Sequence, residues 1–182
     1  MTHLDVLLDR NRAFAATDAR TRGPAVPFVP NMQAFVLTCI DPRVDPADVF
    51  GLALGDAIVE RTVGGRVTPA VLQDIGWITH LHRVLTPDAD WFELAVVHHT
   101  DCGSALLADD ALRKGFADAG GYDEAALAAL AVTDPLESVR ADVAALLASP
   151  MVDDRVAVSG YVYDVDTGLV TPATDAPPPT TA

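Results

Sequence analysis

Cysteine is scarce in this chain: only Cys39 and Cys102 occur among 182 residues. Two thiols so far apart do not make a disulfide framework, and where thiols stay reduced such a pair points to metal binding or catalysis. Basic residues are few as well. Twelve Lys and Arg stand against 26 Asp and Glu, a formal charge of −14, which repels phosphate backbones and anionic lipid surfaces. Neither a nucleic-acid nor a membrane partner is expected, and the excess acid reads as a well-solvated surface. Long apolar runs are also missing. No eighteen consecutive residues are apolar, and Met1 to Asp9 carries acid charge without an apolar stretch. Neither a membrane span nor a secretory leader is expected, and the expected location is cytoplasmic. No internal repeat is visible.

At 50% hydrophobic and 21% charged, the sequence suits one globular domain, taken as residues 1–171, with a core large enough to fold unaided. Leu4, Leu7, Leu8 and Phe14 recur at helical spacing over Leu4 to Ala16, and the Pro-rich stretch from Gly23 to Pro30 stops any helix, so residues 1–30 read as a helical and extended arm. Ala34 to Cys39, Ala57 to Val59 and Leu94 to Val97 are short apolar runs bounded by turn residues, as expected of buried parallel strands. Val156 to Val165 is a fourth, with Gly168 turning the chain into a short last strand. Thr68-Pro69 caps a helix carrying Val71, Leu72, Ile75, Ile78 and Leu85, and Asp134-Pro135-Leu136-Glu137 starts another. This alternation predicts an α/β fold with a mostly parallel sheet flanked by helices and a short C-terminal antiparallel strand. Residues 172–182, rich in Pro and Thr, read as a disordered tail.

Both cysteines stand beside groups that suit a metal. Cys39 opens Cys39-Ile-Asp41-Pro-Arg43, and Cys102 closes His99-Thr-Asp-Cys102-Gly103. Each falls at or just after the carboxyl end of a predicted strand, where ligands bind in open α/β sheets. Taken alone, a cysteine at a strand end is an inert small hydrophobe. Together, two thiols and an imidazole are ligands that borderline-soft Zn²⁺ favours, and three of them leave one tetrahedral position open, as in a catalytic site. His98 alternates with His99 along the strand and should point away from the metal, while His3, His80 and His82 have no assigned role. Asp41 can accept a hydrogen bond from a metal-bound hydroxide and orient it, and the guanidinium of Arg43 can hold that carboxylate through two parallel bonds. Gly103 would relieve crowding where the backbone nears the metal.

Three segments in order, Leu37 to Arg43 (LTCIDPR), Leu54 to Gly65 (LGDAIVERTVGG) and Val96 to Gly103 (VVHHTDCG), resemble the signatures of the β-class carbonic anhydrases: Cys-x-Asp-x-Arg, Gly-Asp…Arg-Asn-Ala-Gly and His-x-x-Cys-Gly. Ser159 to Gly168 is similar to the last strand pair of that family, so the likeness runs from about Met32 to Val170. The resemblance implies a lyase, a carbonate dehydratase that hydrates CO₂ reversibly to bicarbonate through zinc-bound hydroxide, with Cys39, His99 and Cys102 on the metal and Asp41 and Arg43 catalytic. It implies a pocket that includes Val63, Gly64, Gly65 and Gly103. It further implies a homodimer, or a dimer of dimers, in which the leading helix packs on a partner subunit. Two departures stand out. Pro42 replaces the usual Ser or Ala and biases Asp41 towards an extended backbone, and Thr62-Val63 replaces Asn-Ala, giving a bulkier, more apolar wall. The altered wall keeps carbonyl sulfide or carbon disulfide hydrolysis on the same zinc scaffold as the first alternative. A non-catalytic zinc-stabilised module would normally need four Cys or His ligands, and a metal-free enzyme with a cysteine nucleophile and His99 as base is the third option.

Overall fold

The computed structural model describes residues 3–17 and 29–174. Most of the expected extended arm and the tail beyond residue 174 lie outside them. Helix α1 (His3–Ala15) precedes five strands, β1 (Ala34–Cys39), β2 (Ala57–Thr62), β3 (Glu93–His99), β4 (Ala157–Tyr163) and β5 (Val170–Pro172), in spatial order β2-β1-β3-β4-β5. The first four are mutually parallel and β5 runs antiparallel to β4, the expected α/β arrangement.

The central strands carry no alternating pattern because both of their faces are buried. Phe35 and Leu37 of β1 stand in register with Leu94 and Val96 of β3, and all four are buried. Their neighbours of opposite parity, Val36, Thr38 and Val97, are buried as well. Helix α3 (Pro69–Leu85) lays Val71 and Ile75 on the first of these faces, and α6 (Pro135–Ala148) adds Val139, Val143 and Leu146. The glycine at 160 lets α6 approach closely, since a Cβ there would lie 3.1 Å from Val143 and 3.2 Å from Val139. A fully buried aliphatic side chain contributes about 1.5–3 kcal/mol, so this face holds most of the fold's apolar stabilisation.

Both predicted helix starts form as expected. The Thr68 hydroxyl accepts from the Val71 amide at 3.4 Å with Pro69 in the first turn, and Asp134 accepts from the Leu136 and Glu137 amides at 2.9 and 3.1 Å. Three shorter helices were not anticipated: α2 (Pro46–Phe50), α4 (Asp110–Gly120) and α5 (Glu124–Ala128). Each begins at an aspartate cap, Asp45, Asp109 or Asp123, whose carboxylate accepts orphan amides of the first turn. The ordered chain also runs past the expected limit at residue 171. Pro172 closes β5, which as the outermost strand tolerates a residue without an amide donor, and Ala173 is buried. Among the described residues, no helix is long and apolar enough to cross a membrane.

Candidate metal centre and apolar cleft

Neighbouring strands β1 and β3 end side by side, so Cys39 at the end of one comes close to His99 at the end of the other. Immediately after β3 the chain turns at Asp101, whose φ of 53° is left-handed, a conformation that Asp tolerates better than most residues. This turn returns Cys102 to the same point. Cys39, His99 and Cys102 are all buried, and their ligand atoms lie within 4.8 Å of one another. The two Sγ atoms are 3.9 Å apart, far from a bonded pair but close to the ~3.8 Å that two sulfurs at ~2.3 Å from a tetrahedral zinc would show.

The imidazole is set for ligation. His99 Nδ1 lies 2.8 Å from the Thr100 carbonyl; a carbonyl only accepts, so Nδ1 carries the proton and Nε2 presents a lone pair. That Nε2 is buried and has no hydrogen-bond partner. A soft N/S donor set of the right span with an orphaned ring nitrogen fits zinc. The two thiols share a hydrogen bond, which together with burial pushes Cys39 up. The same bond, aided by His99 and Ser104, holds Cys102 far below the ordinary thiol range. Burial disfavours a charged His99, but its contacts with Cys102, the Thr100 carbonyl and Asp41 outweigh this and raise it.

Asp41 and Arg43 form the expected two-pronged pair. Arg43 Nε donates to Asp41 Oδ1 at 3.0 Å and Nη2 to Oδ2 at 2.7 Å. Pro42 assists this geometry: Asp41 is extended (φ −56°, ψ 127°), Pro42 opens a single 3₁₀ turn over Pro42–Val44, and the Asp41 carboxylate caps it by accepting the Arg43 amide at 2.9 Å. Hydrogen bonding from Arg43 holds the Asp41 carboxyl down at about 2. Oδ1 accepts two donors and Oδ2 one, so Oδ2 keeps a lone pair for a further partner.

Four residues outside the predicted set complete the surroundings. Arg61 donates to the Cys39 carbonyl (2.9 Å), the Asp41 carbonyl (2.6 Å) and Asp45 Oδ2 (2.9 Å), pinning the ligand loop from below. Asp101 accepts from Arg43 through its carboxylate at 2.8 Å and its carbonyl at 2.9 Å, which ties the two ligand loops together. Both stand inside the matched segments, so position alone marked them. The other two gave no sequence signal. Arg66, partly buried, and Asp142, buried, form an ion pair (2.7 and 3.2 Å), and the same carboxylate lies 3.1 Å from His98 Nε2. His98 therefore points towards α6, away from the metal ligands. His82 is buried among Trp91 and Phe92, and His80 is exposed beside Trp77.

A cleft of about 450 Å³ opens over this centre. Cys39, Asp41, Val63, Gly64, Gly103 and Ser104 line it, together with the apolar Leu106, Leu112, Phe116, Leu127 and Leu130 and with Arg113. Gly65 is not among the lining residues. It packs on the strand instead, where a Cβ would stand 3.1 Å from the Cys39 amide nitrogen, and its φ of +69° also favours glycine. Crowding does not explain Gly103, since a Cβ there would meet nothing within 4 Å; the residue faces the open cleft.

A mostly parallel sheet whose β1 and β3 ends bring together a Cys/His/Cys set that could hold a metal, beside a largely apolar cleft, has the form of a metalloenzyme centre. The family model described as carbonic anhydrase matches residues 34–119. Over 174 residues the chain is 28% identical to beta-carbonic anhydrase 1 of Mycobacterium tuberculosis, covering 96% of this chain and 99% of that protein. It is also 28% identical to a carbon disulfide hydrolase of Acidianus sp., covering 75% of either chain. Among solved structures, a carbonic anhydrase from Streptococcus mutans superposes with a TM-score of 0.76 at 32% identity, covering 96% of this chain and 99% of that one. The chain belongs to the β-carbonic anhydrase family.

Proposed function

We propose that this chain is a zinc enzyme that interconverts CO₂ and bicarbonate. The observation that carries the reading is the buried Cys39, His99 and Cys102 set, with an orphaned His99 Nε2, beside a cleft that Cys39 and Asp41 help to line. Zinc bound there supplies Lewis acidity, which acidifies a water at the open position and stabilises negative charge as it develops. Asp41, ionised and gripped by Arg43, would accept a hydrogen bond at Oδ2 from an oxygen placed there and so orient its lone pair into the cleft. Arg43 prevents the carboxylate from turning towards the ligands, and Asp101 prevents Arg43 from leaving. The largely apolar walls admit an uncharged linear molecule.

The same apolar walls favour carbonyl sulfide or carbon disulfide hydrolysis as the second reading, since both molecules are linear, neutral and less polar than water. Stopped-flow CO₂ hydration measured beside carbonyl sulfide and carbon disulfide hydrolysis, on protein loaded with one zinc per chain, decides between them. CO₂ turnover that exceeds the sulfur substrates by orders of magnitude is expected. Its absence, with rapid sulfide release, selects the second reading.

The reading includes a homodimer, or a dimer of dimers. Its support is α1, which exposes Leu4, Leu7, Leu8 and Phe14 at 67, 53, 53 and 44%, an apolar stripe suited to a second copy. Sedimentation of the intact chain against one lacking residues 1–16 should show weakened self-association. Equal association would remove α1 from the interface.

A further inference from the structure

The two candidate sulfur ligands have different surroundings. Around Cys39 Sγ the hydrogen-bond donors of the backbone are amides: Asp41 N at 3.4 Å, and Gly64. Cys102 Sγ has in addition a hydroxyl, Ser104 Oγ, at 3.1 Å. Ser104 is buried and sits in the first turn of the 3₁₀ segment Gly103–Ala108, whose N-terminal residue Cys102 makes no side-chain cap bond. A serine hydroxyl in such a turn ordinarily has water or backbone to bond. Here Gly64 makes its place: a Cβ on Gly64 would stand 2.7 Å from Ser104 Oγ, closer than a real Cβ comes to any heavy atom. The left-handed turn at Gly64 (φ +73°) thus serves the hydroxyl as well as the backbone.

We infer that Ser104 is a positioning residue that tunes the metal through sulfur: its hydroxyl donates to the Cys102 thiolate and lowers the charge this ligand gives to the ion. The direction of the bond follows from protonation. A ligating thiolate has no proton, so Ser104 must be the donor. A hydrogen bond to sulfur draws electron density away from the metal–sulfur bond, and outer partners of this kind adjust the Lewis acidity of the ion. In a site whose two thiolates already cancel the formal charge of Zn²⁺, one such donor restores part of the positive character that acidifies water. Ser104 also lines the cleft, but its hydroxyl is directed at sulfur. The inference rests on the metal reading of Cys39, His99 and Cys102 proposed above.

Cobalt(II)-substituted protein tests it, because sulfur-to-cobalt charge transfer absorbs in the near ultraviolet and reports thiolate donor strength directly. In Ser104→Ala the band should move to lower energy with one cobalt still bound per chain, and Ser104→Thr, which keeps the hydroxyl, should return it towards the wild-type position. On the zinc protein, kcat/KM for CO₂ in Ser104→Ala should fall about 10-fold below the pH midpoint, the size typical of lost outer partners. The plateau at high pH should be unchanged, so that the loss appears as a rise of the midpoint by about one unit. An unmoved band and midpoint in Ser104→Ala, with only a lower melting temperature, would show that the serine merely packs and would overturn the inference while leaving the metal site intact. Wild-type protein that binds cobalt without any sulfur charge-transfer band would instead remove the metal reading itself, and this inference with it.

Discussion

Removing the carboxylate of Asp142, which α6 holds buried, should destabilise this protein strongly. Asp142 is 3% exposed, accepts two bonds from Arg66 and stands beside buried His98. Arg66 in turn donates to the carbonyls of Ala129 and Ala131 at 3.0 and 3.4 Å, so the pair clamps three elements at once. At ~4 Å between charge centres and an effective dielectric of ~20, the attraction is about 4 kcal/mol. Deleting one partner of a buried pair commonly costs about 3–5 kcal/mol, because the survivor is left uncompensated. The Arg66 side chain keeps 14% exposure, through which water can partly solvate the stranded guanidinium, so the lower end applies. Asp142→Ala should lose about 3 kcal/mol, a fall of roughly 6–12 °C in Tm for a chain of this length. Denaturant unfolding should show a lower midpoint with an unchanged slope. The double variant Arg66→Met/Asp142→Leu should recover most of the loss, since apolar residues of similar volume replace buried pairs well. A loss below ~1 kcal/mol would place the pair in the range of solvated surface pairs and refute its assignment as a buried clamp.

Other outcomes can be checked independently. Asp41→Asn should retain zinc by elemental analysis yet lower kcat/KM for CO₂ by ~10²-fold or more, in line with losing a general acid–base partner; wild-type rates would make Asp41 a bystander. Because the Asp41 carboxyl is held at about 2, below its unfolded value, its stabilising contribution is present above pH ~4. It should vanish only as pH falls towards 2, when wild-type and Asp41→Asn unfolding curves converge. Cys102→Ser should lose most of the metal and nearly all activity, a hydroxyl being a much poorer ligand than a thiolate. Glu60, half-buried on β2 and raised from 4.5 to about 7 by burial and by the nearby charge of Asp74, should act with the opposite sign. Between these two pH values the folded chain keeps a proton that the unfolded chain has released, so stability declines as pH rises through the window. Glu60→Gln should remove that decline, which unfolding at pH 5 and pH 8 would reveal.

Much of the architecture was legible because its signals are local and repeated. Unbroken apolar runs such as AFVLTC mark strands covered on both faces, and Thr68-Pro69 and Asp134-Pro135 mark helix starts whose caps form as their chemistry requires. Helices α2 and α5 escaped because each is only five residues long, and α4 because its apolar face, Leu112 and Phe116 four positions apart, is brief and exposed on a helix that also contains Gly115. The site was legible to the extent that its residues are few and chemically distinctive: two cysteines in the whole chain, one beside an aspartate and an arginine, the other three positions after a histidine. What surrounds them was not. Arg66 and Asp142 lie 76 positions apart and meet only because α6 packs against the sheet, and Ser104 looks like any helix-start serine until Gly64 is placed beside it. The reason for Gly65 was likewise hidden, since it depends on the backbone of a neighbouring strand rather than on a ligand.

The candidate sulfur ligands Cys39 and Cys102 are separated by 63 positions. Cys39 ends β1 and Cys102 follows the end of β3, two strands whose pairing is non-local, so an unfolded chain can offer an ion only the nearby His99 and Cys102, and bringing in Cys39 then carries the entropy of closing a long loop. A bound ion would therefore favour the folded ensemble almost exclusively, and its affinity would be expressed as resistance to unfolding that grows with free metal concentration. Capture of an ion at this set would come late in folding, after the central strands have aligned, and its loss would return that loop entropy to the chain.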